Sequence, residues 1–162
     1  MRFFVTGEQN RQLLMNTLIL MFLVYVALLW VSNGLMYFHK MNLGVDSVLA
    51  YYLGSEQEFT QPRSYQSLLE VTHFHLFAMG MLVLTLTHLM LMTHLPTLVK
   101  VWLSVIIYAS AIADEAAGWL VLFVHPGFAY FKIAAFLLLE TSLAVLIIVV
   151  IISLVQARRR IN

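Results

Sequence analysis

Residues 68–93 read LLEVTHFHLFAMGMLVLTLTHLMLMT, and this stretch decides the fold. It has the length of a membrane-spanning helix, about 20 mostly apolar residues, yet it carries Glu70 and the three histidines His73, His75 and His88. Three other stretches share its length and oiliness: about Leu13 to Phe38, about Leu98 to Val124 and about Ala129 to Val155. Together the four take up most of the 162 residues. The composition agrees, with 62% of residues hydrophobic, 10% charged and a mean hydropathy of +0.89. A soluble domain has about 25% charged residues, so this chain lacks the polar surface to cover itself in water. The composition also excludes disorder, which needs low hydrophobicity and high net charge.

What is missing narrows the chemistry. A formal net charge of +1 gives no basic field to recruit nucleic acid. The absence of cysteine excludes disulfides, zinc–thiolate and iron–sulfur sites, and haem attached through a cysteine pair. Phosphate loops, dinucleotide fingerprints and a serine–histidine–acid order are absent as well. The first apolar run is longer than the core of a secretory signal and lacks a small-residue cleavage site, so it is expected to stay as a span.

The remaining sequence is a short N-terminal piece, a loop from about Lys40 to Gln66, two tight turns and the tail ARRRIN. Ser67-Leu-Leu-Glu70 reads as a capping box opening the second span. Pro96 and Pro126-Gly127 break the chain between later spans. Connections this short make successive helices antiparallel neighbours, so the fold class is all-α, an integral membrane up-down-up-down four-helix bundle. Arg2, Arg11, Lys100 and Arg158 to Arg160 fall on one side, while Lys40, Arg63 and Lys132 on the other are balanced by Asp46, Glu56 and Glu58. The basic bias places both termini in the cytoplasm, with a bacterial-type inner (plasma) membrane as the default setting.

Ionisable groups inside spans are costly and mark pathways, cofactors or buried pairs. Besides those of 68–93, Asp114 and Glu115 lie in the third span, and Lys132 and Glu140 in the fourth. His125 sits in the turn between them, and nearly all of these groups fall in the outer half. At about 100° per residue Glu70, His73, Phe77, Met81, Leu84 and His88 share one stripe. His73 and His88 are about 22 Å apart along the axis, with Gly80 near the midpoint. The stripe is expected to face an inter-helical space, with two ligands at different depths.

Three chemistries follow. In the first, a b-type haem is held by two neutral histidines in the bundle. His73 or His75 with His125 is the preferred pair, and a lower haem on His88 needs its second ligand from a symmetric dimer. Glu70 would fix an imidazole tautomer, and Asp114, Glu115 and Glu140 would exchange protons with quinol. In the second, copper, iron or zinc is bound without porphyrin by His73, His75, His125 and Glu70, the last forming a Glu-x-x-His pair with His73. In the third, the chain is a cofactor-free accessory subunit of a respiratory or transport complex, and the small-residue stretch from Ala109 to Gly118 favours close helix contact.

Each group also has a plainer reading. In it Glu70 serves only as a cap, His125 and His94 close turns, and Met79, Met81, Met90 and Met92 pack. Asp114 and Glu115 pair with Lys132 across facing helices.

The span length, the four-helix pattern and the histidines of LLEVTHFHLFAMGMLVLTLTHLML make the chain broadly similar to the bacterial four-helix b-type cytochromes of the inner membrane. The resemblance implies haem b bound by paired histidines and electrons delivered by quinol. Residue by residue, it carries over to His73 (or His75) and His88.

Overall fold

The three prolines, Pro62, Pro96 and Pro126, all fall between helices, and the apolar runs they bound are uninterrupted. A computed structural model describes residues 7–57 and 59–159. It contains α1 (Gly7–Lys40), α2 (Val45–Leu53), α3 (Tyr65–Leu91), α4 (Thr97–Phe123) and α5 (Phe128–Arg159). Four of them are long and apolar enough to cross a membrane, over Arg11–Lys40, Tyr65–Leu91, Thr97–Phe123 and Phe128–Gln156. The expected all-α, four-span arrangement is present. Arg2, Glu58 and Arg160 of the orientation argument lie outside the described residues, as do the side chains of Arg158 and Arg159.

Two boundaries differ from the sequence reading. The second span opens at Tyr65 because Ser64, following Pro62, is the N-cap and its Oγ accepts from Ser67 N–H at 3.1 Å. Glu70 therefore caps nothing and accepts instead from Gln66 Nε2, one turn back, at 3.0 Å. The stretch expected as a loop contains α2. Gly44 N–H donates to Asn42 Oδ1 at 2.6 Å before it, and Gly54 ends it at φ 82°. A Cβ at Gly54 would lie 2.7 Å from the Thr60 carbonyl, so glycine is required there.

α5 is the hub of the bundle and packs against α1, α2, α3 and α4. Its apolar residues run all round the helix, as a buried helix requires. In its most apolar window 44% of residues are buried, against 11% in α1, which packs chiefly along α5. Two apolar clusters divide the molecule along its length. An aliphatic one joins Leu23, Val83, Leu86, Ile107, Leu143 and Leu146 toward the end that carries the termini. An aromatic one joins Tyr37, Val48, Tyr52, Val121 and Phe136 at the α2 end. Lipid is as apolar as these side chains, so close van der Waals fit holds the helices together. Gly118 gives an instance, for a Cβ there would lie 2.9 Å from the Tyr52 hydroxyl, and its absence lets α2 seat on α4. At the terminal end Lys100 Nζ donates to the Leu91 and Thr93 carbonyls, each at 2.7 Å, which satisfies the orphan acceptors closing α3.

Candidate functional site

Asp114 and Glu115 are neighbours on α4, so their side chains diverge by about 100°. One meets α5 and the other α3. Lys132 Nζ, on α5, donates to Asp114 Oδ1 at 2.7 Å and to the Asp114 carbonyl at 2.9 Å. Lys132 is 7% exposed, and a charge so enclosed is tolerable only when paired and hydrogen-bonded. Glu115 Oε1 lies 2.6 Å from His75 Nδ1 on α3. Glu115 is mostly enclosed, whereas His75 is half exposed. One turn further along α4, Trp119 Nε1 donates to Thr72 Oγ1 at 2.9 Å and staples the same two helices.

These pairs border a polar chamber of about 90 Å³ at the α2 end, also lined by Tyr37 and Arg63. At about 30 Å³ per molecule that is room for a few waters. Tyr37 is buried, its ring stacked on Phe136 with centroids 3.6 Å apart. Its hydroxyl is buried without a hydrogen-bond partner among the described residues, and such a group is costly unless something hydrates or binds it. Beside the chamber, burial, followed by the charge of Asp114, pushes the Tyr52 hydroxyl well above its ordinary range, which keeps it protonated.

His75 and Glu115 also line a second, smaller space of about 60 Å³ between α3 and α4, whose other walls include Met79, Gly80, Tyr108 and Ile112. Among the described residues, nothing beyond the adjoining residues and the local helix backbone lies within 4 Å of where a Gly80 Cβ would stand. The histidine–acid pair therefore separates a polar chamber from an apolar groove on the side of the bundle.

Other expected site residues fall elsewhere. Glu140 accepts from Asn33 Nδ2 at 2.5 Å while its carbonyl accepts from Trp30 Nε1 at 3.0 Å, so it ties α1 to α5. Glu70, His73 and His88 are exposed, as are Phe77, Met81 and Leu84 of the same stripe. The expectation that this stripe faces an inter-helical space is thus corrected. The inward face of α3 is set by Leu68, Val83, Leu86, Thr87 and Met90, which lie on the opposite side. His125 Nδ1 accepts the Gly127 N–H at 2.9 Å and closes the α4–α5 turn, the plainer of its two readings. Among the described residues no three His, Asp or Glu side chains gather where they could hold a metal ion; His75 and His125 are engaged by Glu115 and by the Gly127 N–H, and Glu70 and His73 are exposed.

Several contributors escaped the sequence reading. Asn33, an amide inside the apolar run VSNGLM, was a usable signal. Tyr37 and Trp119 look like ordinary aromatics in spans, and nothing local marks them.

Residues 42–161 match the model of a family described as a transmembrane helical domain. The match covers α2 to α5 and every chamber residue named above except Tyr37. No curated protein matches the chain, and no solved structure matches it.

Proposed function

The chain belongs to this family of transmembrane helical domains, and on that premise we propose that it is the proton-exchanging subunit of a membrane electron-transfer complex, acting on the head group of a quinol. The observation that carries this reading is the position of His75 and Glu115, which line both the polar chamber and the apolar groove. A quinol in the bilayer reaches the groove without entering water. Oxidation releases two protons and two electrons from its hydroxyls. The imidazole–carboxylate pair accepts the two protons one after the other, and the chamber passes each to the aqueous phase before the next. The Lys132–Asp114 pair holds the far wall at balanced charge, and the electrons leave to an acceptor in an adjoining subunit. By the basic bias of Arg11 and Lys100 we place the termini in the cytoplasm of a cell with an inner (plasma) membrane, so the chamber opens outward.

Fluorescence tests this reading. Trp119 lies one turn from Glu115, and a short-tailed quinone seated in the groove should quench it saturably. The signal should be absent in Trp119→Phe, and His75→Gln should weaken binding by about tenfold, the equivalent of one charge-assisted hydrogen bond. Linear, non-saturable quenching that is equal in wild type and His75→Gln would contradict the proposal.

A b-type haem held by paired imidazoles needs them to face one another across an enclosed slot, and the described histidines of a single chain do not fit that arrangement. His75 is engaged by Glu115, His125 by its own turn, and His73 and His88 face outward. The shared outward face of His73 and His88 favours one second reading, in which haem is held between two copies. Copies in one membrane have the same orientation, so a two-fold axis along the membrane normal sets each His88 opposite its twin at the same depth. A reduced-minus-oxidised spectrum with a Soret band lost in His88→Ala supports it, and a colourless protein rejects it. Among the described residues, a bare copper, iron or zinc ion with three or more His, Asp or Glu ligands would likewise draw on a second chain.

A further inference from the structure

The α2 end holds another cavity, an open one of about 460 Å³, bordered by the end of α1, by α2 and by the segment leading into α3. Its walls carry two cations, Lys40 and Arg63, and the hydroxyls of Ser47, Thr60, Ser64 and Ser67. Among the described residues no aspartate or glutamate lines it.

Arg63 is held in place by neutral partners. Its backbone N–H donates to the Tyr52 carbonyl at 2.9 Å, Nη1 donates to Ser67 Oγ at 3.2 Å, and the guanidinium lies 4.3 Å from the Tyr51 ring centroid. It is half-buried, and neither it nor the exposed Lys40 has a carboxylate partner among the described residues. A guanidinium fixed on an aromatic face, with a mobile ammonium and several hydroxyls beside it, is a donor set matched to phosphate oxygens. The first turn of α3 adds the positive end of its dipole. Lys40 closes one span and Tyr65 opens the next, which sets the cavity at the level where hydrocarbon gives way to head groups. At the same end Phe59 is 94% exposed and holds φ at 52°, a strained conformation. An apolar ring presented there suits the membrane interface.

We propose that this cavity binds the phosphate group of an anionic phospholipid, and so fixes α2 and its following turn against the membrane surface. The shared chemistry is phosphate, and a soluble phosphate is the competing source. The full chain in a neutral, phosphate-free detergent is titrated with phosphatidylglycerol and, separately, with inorganic phosphate, following thermal stability and lipid adducts in native mass spectra. Phosphatidylglycerol should bind saturably. Lys40→Gln, which removes no side-chain hydrogen bond or ion pair among the described residues, should weaken it about fivefold, the worth of one basic residue near the surface. Arg63→Gln should weaken it more. Affinities equal to wild type in both variants overturn the proposal. Saturation by inorganic phosphate with the same dependence on Lys40 and Arg63, and none by the lipid, overturns the lipid source and assigns the cavity to a soluble phosphate. The inference does not rest on the quinol reading, because His75→Gln should bind phosphatidylglycerol as wild type does.

Discussion

Two regions of this molecule carry histidines and acids within membrane spans, and they have had different fates. The chamber gathers Asp114, Glu115, Lys132 and His75 into two pairs, a lysine–aspartate ion pair and a hydrogen-bonded histidine–glutamate pair. The outer face of α3 carries Glu70, His73 and His88, and among the described side chains only Gln66 meets any of them through a hydrogen bond. His73 and His75 are two residues apart, roughly 200° around the helix. That angle decides which one meets Glu115. Residue type says that a group is expensive in the membrane, and the neighbouring helix says whether the expense is offset.

The contrast breaks most visibly at Lys132. Lys132→Ala leaves Asp114 enclosed and unpaired, and should cost about 3–5 kcal/mol in reversible unfolding from mixed micelles. Replacing both partners, as Lys132→Met with Asp114→Leu, should recover most of that loss. A double variant as unstable as the single one would mean that packing, and not the charge pair, sets the effect.

A smaller cost is expected at the histidine–acid pair. His75→Phe should destabilise by about 1–2 kcal/mol, and a double-mutant cycle with Glu115→Leu should show the two effects to be coupled. At the α1–α5 joint, Asn33→Leu should cost about 0.6–1 kcal/mol, the usual worth of a hydrogen bond between spans. Equal losses for Asn33→Leu and Lys132→Ala would remove the distinction between a structural tie and the chamber.

The smallest effect belongs to the outer face. His73→Phe and His88→Phe should change the unfolding free energy of the dilute monomer by less than about 0.5 kcal/mol. If either lowers stability only at high protein-to-detergent ratio, the face is covered by a second copy, and the comparison sharpens in favour of the shared-haem reading.

The spans were legible because apolar run length and the three prolines are properties of the chain itself. The Lys132–Asp114 pair was legible too, since the short turn at His125 to Gly127 forces α4 and α5 side by side. The facing of α3 was not. Helical phase groups Glu70 with His73 and His88, but it leaves open whether that stripe points in or out, and that depended on Val83, Leu86 and Met90 meeting α5 and α4. α2 was missed because nine residues within a polar stretch carry little periodicity. Its buried pair, Val48 and Tyr52, four residues apart, gains meaning only once Gly118 offers Tyr52 a place to sit.

The most direct test reads the imidazoles themselves. Histidine labelled with nitrogen-15 would be followed by solid-state magnetic resonance in bilayers, with His73→Gln and His75→Gln used for assignment. Adding a reduced short-tailed quinone should move the ring nitrogens of His75 and leave those of His73 and His88 unchanged. A shift at His73 or His88 with His75 unmoved would contradict the account.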